Sequence, residues 1–140
     1  MMVLSLPAMA QTLTNNGTVV YMAPKAVVVI NGNAEVKSAG IVTMDDSASV
    51  RVNGNLQVSN GSVNMNRRST VNVNGDVETG GVCSQPAGIV VRNGSGVLTV
   101  SGSVVNKGLI NNNSTIFIGT TLKNDGEVNN SSGSLIEVGP

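Results

Sequence analysis

Residues 50–77 read VRVNGNLQVSNGSVNMNRRSTVNVNGDV, and this stretch contains one short motif twice. The motif VRVNG at residues 50–54 returns as VNVNG at residues 71–75. In both copies apolar residues alternate with a polar one, which is the period-two pattern of a strand with one buried face. The two copies run in the same sense along the chain, so a translation relates them.

The same translation relates six segments of the chain. Coils are predicted to begin near Leu13, Ala34, Leu56, Val77, Val104 and Leu122. Each coil contains a Gly with an apolar residue two positions later, and then an alternating apolar pair: Val28/Ile30, Val50/Val52, Val71/Val73, Leu98/Val100, Ile116/Ile118 and Ile136/Val138. We therefore predict an all-β fold, a right-handed parallel β-helix (β-solenoid) of about six coils, with roughly 18–22 residues per coil and one longer coil.

Asn-Gly pairs follow three of the alternating pairs and mark a corner of each coil. Because Gly adopts positive φ freely and Asn tolerates it, the sequence predicts that the chain turns at these structural turn residues: Asn31, Gly32, Asn53, Gly54, Asn74 and Gly75. Since the three Asn residues share one column, we expect them to form an internal amide ladder. Asn-Gly is also typical of β-hairpins, so an antiparallel meander or sandwich is the competing fold.

Composition supports repetition and excludes several classes of protein. The chain is 40% hydrophobic but only 1% aromatic, which suits thin, similar layers filled by aliphatic side chains and Met. The formal net charge is zero and the charges are scattered, so we expect no nucleic-acid partner. No apolar run reaches the length of a membrane-spanning helix, so we expect no transmembrane span.

The first ten residues, MMVLSLPAMA, end in the small-x-small pattern of a signal-peptidase site, Ala8-Met9-Ala10. We interpret residues 1–10 as a signal-peptide remnant and residues 11–140 as a single β-solenoid domain, the N-terminal fragment of a longer exported protein. An ordinary apolar N-terminal strand is the alternative interpretation of residues 1–10.

Coil four is lengthened by the segment ETGGVCSQPA at residues 78–87. Insertions in repeat proteins emerge as loops on one face, so Cys83, Ser84, Gln85 and Pro86 form a candidate interaction loop. A lone thiol in an exported chain can join two molecules, and an inert half-buried thiol is the alternative.

The sequence contains little that catalysis requires. His is absent and no nucleophile motif occurs, so we predict that the chain is not an enzyme and takes no cofactor. Asp45-Asp46 supplies too few oxygens for Ca²⁺, and we predict a solvated turn and no metal. Four arginines, Arg51, Arg67, Arg68 and Arg92, are either a mildly basic strip for an acidic polysaccharide or ordinary solubilising charges.

Residues 104–138, VVNKGLINNNSTIFIGTTLKNDGEVNNSSGSLIEV, repeat the pattern N-x-G-x-[VI]-x-N. This segment resembles the β-helix repeats of filamentous-haemagglutinin-like and autotransporter-passenger proteins and of Bacteroidetes surface proteins. The resemblance implies a secreted or cell-surface structural or adhesin segment of a Gram-negative bacterium, with a host or matrix glycan or protein as partner. Coils of this length also look like bactofilins, which implies end-to-end self-association into a filament. A fragment of a carbohydrate-active β-helix enzyme is the third interpretation.

Overall fold

The computed structural model describes residues 1–4, 8–80, 88–91 and 96–140. In this part of the chain every regular element is a β-strand, and the strands pair in parallel within three sheets: sheets A and B of seven strands each, and sheet C of six. The predicted all-β parallel β-solenoid is therefore confirmed, and its right-handed winding stays a prediction. The described residues contain no helix long and apolar enough to cross a membrane.

Each of the six predicted coils supplies one strand to each sheet, in the order sheet C, sheet A, sheet B. The strands of coils one to three are β3 Leu13–Asn16, β4 Val19–Met22, β5 Val27–Ile30, β6 Ala34–Lys37, β7 Ile41–Met44, β8 Ser49–Val52, β9 Leu56–Ser59, β10 Ser62–Met65 and β11 Thr70–Val73. Those of coils four to six are β12 Val77–Gly80, β13 Gly88–Val91, β14 Val97–Val100, β15 Val104–Asn106, β16 Leu109–Asn112, β17 Thr115–Ile118, β18 Leu122–Asn124, β19 Glu127–Asn130 and β20 Leu135–Val138. The predicted coil starts coincide with the strands of sheet C.

Two short strands precede the first coil. Strand β1 (Met2–Leu4) pairs with β4, and β2 (Ala8–Ala10) pairs with β5. Residues that we interpret as a leader remnant thus continue the stack in the structure, and their removal from the mature protein stays a prediction.

The core consists of columns in which like side chains stack on like. Ile30 pairs in register with Val52, and Val52 with Val73, and all three side chains are buried. In sheet A the fully buried side chains of Met22, Met44 and Met65 form a similar column. Unbranched Met fills irregular space well, so the core packs without a buried aromatic side chain in the described coils.

The corners between sheets account for the differences in coil length. From β5 onward, three residues separate each strand of sheet B from the next strand of sheet C. The corner from sheet A to sheet B varies: four residues separate β10 from β11, whereas only Asn113 and Ser114 separate β16 from β17. This corner accounts for two of the three residues by which coil five is shorter than coil three, and the third is missing from β15, which has three residues where β9 has four.

Buried asparagines stabilise the short corners of coil five. Asn112 is fully buried, and its Nδ2 donates to Asn130 Oδ1 at 2.8 Å and to the Leu135 carbonyl at 2.9 Å. Its Oδ1 accepts the Ser114 N–H at 3.1 Å. Asn106 acts in the same way, since its Nδ2 donates to Asn124 Oδ1 at 2.7 Å. In each of these amide pairs the Asn of coil five is buried and its partner in coil six is exposed. These columns are not the one in which the sequence predicted an amide ladder.

Asn112→Ala should lower the free energy of unfolding by about 1–3 kcal/mol, because it leaves the N–H of the buried Ser114 without its acceptor and removes the bonds to Asn130 and to the Leu135 carbonyl. The matched control is Asn111→Ala, since Asn111 lies on the outer face and, within the described structure, its Oδ1 accepts from the exposed Asn129 alone. That control should change stability by no more than about 0.5 kcal/mol. Urea unfolding followed by circular dichroism measures both, and equal losses would contradict the structural role of Asn112.

Candidate functional site

The predicted turn residues lie at the corner where sheet B passes into sheet C, which we call the BC corner. At this corner Asn53 Nδ2 donates to Asn31 Oδ1 at 3.1 Å, and Asn74 Nδ2 donates to Asn53 Oδ1 at 3.0 Å. The three side chains are exposed. The predicted amide ladder is thus present, but its predicted interior location is wrong, because each Asn follows an inward-facing residue and so points outward.

At the BC corner the backbones of successive coils lie so close together that there is no room for a Cβ atom, so glycine is required there. The positive-φ glycines of the described residues are Gly17, Gly133 and Gly139, so the positive φ predicted for Gly32, Gly54 and Gly75 is wrong. A Cβ on Gly54 would overlap Asn33 Oδ1 and lie 2.8 Å from the Gly32 carbonyl oxygen.

Left-handed backbone occurs instead at the other two corners: between sheets C and A, at Gly17, Ser38, Ala39 and Asn60, and between sheets A and B. There Lys25, Ser47 and Arg68 have φ of 64°, 60° and 54°. Because these three positions carry neither Asn nor Gly, local turn motifs do not reveal them; in coil six the same corner has Gly133, with φ of 80°.

A second ladder runs beside the first and was missed by the sequence analysis. Asn33 Oδ1 accepts the Asn55 N–H at 2.8 Å, and Asn55 Oδ1 accepts the Asp76 N–H at 2.9 Å. Asp76 Oδ1 continues the series by accepting the Ser103 N–H at 2.7 Å. The available signal was the short polar residue after each Gly, in Asn-Gly-Asn twice and then in Asn-Gly-Asp. Side chains of this type hydrogen-bond nearby backbone readily.

A groove of about 590 Å³ lies along the outer side of the BC corner and sheet C, and we call it the sheet C groove. The second ladder forms one side of it, and the outward-facing side chains of sheet C line the floor, among them Thr14, Glu35, Gln57 and Glu78. The groove spans several coils and repeats its polar groups with the spacing of parallel strands, about 4.8 Å.

Two of the carboxylates in the groove are paired with lysines. Glu35 contacts Lys37 at 2.8 Å, and Glu78 contacts Lys107 in the next coil at 2.7 Å. The hydrogen bond from Lys107 to Glu78 raises the pKa of Lys107. These side chains are partly exposed, so each pair contributes little to stability and remains open to a polar ligand.

Asp45 and Asp46 lie at the corner between sheets A and B, where both are already bonded. The Tyr21 hydroxyl donates to Asp45 Oδ2 at 2.5 Å, and this bond lowers the pKa of Asp45. Arg68 donates to both oxygens of Asp46, at 3.0 and 2.6 Å. In the described part of the chain, no three acidic or Cys side chains gather in a way that suits a metal ion.

The predicted interaction loop, Cys83, Ser84, Gln85 and Pro86, lies outside the described residues, as does Arg92. Among the other arginines, Arg51 lies on the outer face of sheet B, whereas Arg67 and Arg68 lie at the corner between sheets A and B. The structure therefore does not join these three into one strip, and the interaction loop stays a prediction.

No protein family, curated protein or solved structure matches the chain. The resemblance of residues 104–138 to surface β-helix repeats therefore remains an expectation from the sequence.

Gly54→Ala should lower the free energy of unfolding by about 1–3 kcal/mol, because the new Cβ overlaps the neighbouring coil. Gly80→Ala is the matched control: a Cβ there meets no described atom within 4 Å. Since Ala is favoured over Gly within a strand, this control should be neutral or slightly stabilising. Thermal unfolding of the two variants decides the matter, and equal losses would contradict the close approach at the corner.

Asn53→Asp should destabilise the chain more than Asn31→Asp. A carboxylate at position 53 has no donor for Asn31 Oδ1, whereas a carboxylate at position 31 can still accept from Asn53 Nδ2. We expect a loss of about 0.5–1.5 kcal/mol for Asn53→Asp and almost none for Asn31→Asp. Chemical unfolding of the paired variants provides the measurement, and the reverse order would show that the ladder does not stabilise the corner.

Acid should remove the stabilisation that Asp46 provides. Hydrogen bonding to Arg68 lowers the pKa of Asp46 in the folded chain below its ordinary value. A carboxyl group whose pKa is lower in the folded chain than in the unfolded chain stabilises the fold at a pH above its unfolded-state pKa. This stabilisation disappears as the pH falls through the folded-state pKa. Wild type should therefore melt above Asp46→Asn at neutral pH, and the two melting temperatures should converge between about pH 5 and pH 1. A difference independent of pH would rule out the ionised pair as its cause.

Proposed function

We propose that this chain is a non-enzymatic structural segment of a secreted or cell-surface protein, and that it presents the sheet C groove to an adhesive partner. The observation that carries this proposal is the use of polar side chains to bond one coil to the next. The alternating repeat and the leader-like residues 1–10 support the extracellular location.

The polar side chains link successive coils at several corners. Asp46 of coil two bonds Arg68 of coil three, and Glu78 of coil four bonds Lys107 of coil five. At the BC corner the first ladder links coils one to three, and the second ladder links coils one to four. A general acid or base needs access to substrate and a pKa suited to proton transfer, whereas these groups are held by neighbouring coils. Their arrangement favours a stacked rod over a catalytic site.

The sheet C groove suits a hydroxyl-rich partner such as a linear glycan. Asn33 and Asn55 have Nδ2 groups that donate to no described atom, and Asp76 and Gln57 supply acceptors beside them. Donors and acceptors that recur once per coil can bond successive units of an extended chain. A host or matrix glycan is therefore our first proposal for the partner, ahead of a protein.

Two measurements test this function. Protease added to intact cells should digest the chain while a cytoplasmic marker stays whole. On an array of glycans, Gln57→Arg should reduce binding at least about tenfold, or about 1.4 kcal/mol. Its matched control, Asn64→Arg on the outer face of sheet A, should leave binding unchanged. Retention in the cytoplasm would reject the surface location, and cleavage of a bound polysaccharide would reject the non-enzymatic role.

End-to-end assembly is a second candidate function, suggested by the likeness of the coil lengths to those of bactofilins, and coil six is the surface through which copies of this chain would meet. Its strands β18, β19 and β20 lie at sheet edges, and the inward-facing Leu122, Val128 and Ile136 are only partly buried. A coil in the same register from a second copy would cover them. Sedimentation velocity over a concentration series should then show growth for wild type and none for Ile136→Lys, and a constant mass for wild type would reject assembly.

A further inference from the structure

The three Asn-Gly pairs of the BC corner have the same local sequence pattern but unequal hydrogen bonds. Asn53 uses both ends of its amide, and the Gly54 N–H donates to the Gly32 carbonyl at 3.0 Å. At the next coil Asn74 Nδ2 donates to Asn53, and the Gly75 N–H donates to the Gly54 carbonyl at 3.0 Å.

The first pair of the column, Asn31-Gly32, makes fewer hydrogen bonds. Asn31 Oδ1 accepts one bond from Asn53, whereas its Nδ2 donates to no described group. The Gly32 N–H likewise has no acceptor among the described residues. Asn31-Gly32 is thus the only pair of this column, within the described structure, that combines an unbonded backbone N–H with an unbonded amide nitrogen.

These are the two groups that react when asparagine deamidates. The backbone nitrogen of the following residue attacks the side-chain Cγ, a new C–N bond forms, and the Cγ–Nδ2 bond breaks. The attacking nitrogen gives up its proton, and ammonia leaves. Water then opens the succinimide ring to aspartate or isoaspartate, so water is the only co-reactant. Because Gly has no side chain, it hinders this attack least.

We propose that Asn31-Gly32 is a site of spontaneous deamidation, and that coil stacking protects Asn53-Gly54 and Asn74-Gly75 from the same reaction. For Asn53 the attack must break the bond of the Gly54 N–H and both bonds of the side-chain amide. For Asn31 it breaks the single bond accepted from Asn53. The position of a pair in the stack, and not its sequence, sets its rate.

The aspartate product is compatible with the ladder only at its first position. The carboxylate formed from Asn31 keeps an acceptor for Asn53 Nδ2, and a charged acceptor strengthens such a bond. The reaction therefore adds one negative charge to the exposed BC corner of a chain whose formal net charge is zero. Molecules in which the ring opens to aspartate would differ from fresh ones in surface charge while keeping the bond to Asn53.

Peptide mapping of the full chain tests the proposal. Cleavage after Lys and Arg places the three asparagines in separate peptides, residues 26–37, 52–67 and 69–92. Tandem mass spectrometry then locates aspartate and isoaspartate after incubation at mildly alkaline pH. We expect Asn31 to convert at least about tenfold faster than Asn53 and Asn74 in the folded chain, a difference of about 1.4 kcal/mol in barrier.

The same chain unfolded in urea is the matched control, and its three sites should convert at comparable rates. Equal rates in the folded chain, or the same spread of rates in the unfolded chain, would overturn the proposal. Asn31→Gln provides a second readout, because its longer side chain disfavours the five-membered ring. The acidic species that wild type accumulates on ion exchange should be lost in this variant, and its persistence would place the reaction elsewhere.

Discussion

The main constraint on this molecule is that side chains at equivalent positions of successive coils are nearest neighbours. Parallel strands in register lie about 4.8 Å apart, so every column must consist of residues that tolerate themselves at that distance. Aliphatic side chains and Met satisfy the constraint in the core. Asparagine satisfies it both at the exposed BC corner and at buried positions such as Asn112, because its amide both donates and accepts and so can bond to another asparagine. Charged side chains instead bond an opposite charge at a neighbouring position of the next coil, as Asp46 bonds Arg68.

Much of the fold could be predicted from the sequence because columns are visible as repeated spacing. The alternating pairs and the Asn-Gly corners predicted the coil starts and the parallel pairing correctly. What failed was the direction of side chains at corners and the reason for glycine there. Spacing shows that Asn31, Asn53 and Asn74 share a column, but not whether that column faces the core or the solvent.

The candidate site was harder to predict than the fold. The sheet C groove forms where the second ladder at the BC corner meets the outward-facing side chains of sheet C. Its residues are of common polar types, so no single position marks the groove in the sequence. The second ladder depends on side chains that bond backbone in the next coil, a relation about 21 residues long that local motifs do not show. The buried Asn112 was also missed, because a polar residue in an apolar column looks like an interruption until its partners are known.

The strand-to-strand hydrogen bonds of a solenoid point along its axis, and this direction governs how the chain would bear force. A pull applied at one end of the polypeptide loads the bonds of the outermost coil first, before those of the coils behind it. Coils would then unfold one after another, each adding about 20 residues of extended chain while the coils behind it stay folded. Such a chain dissipates mechanical work in small unfolding steps over a long extension and does not resist the force as a rigid body.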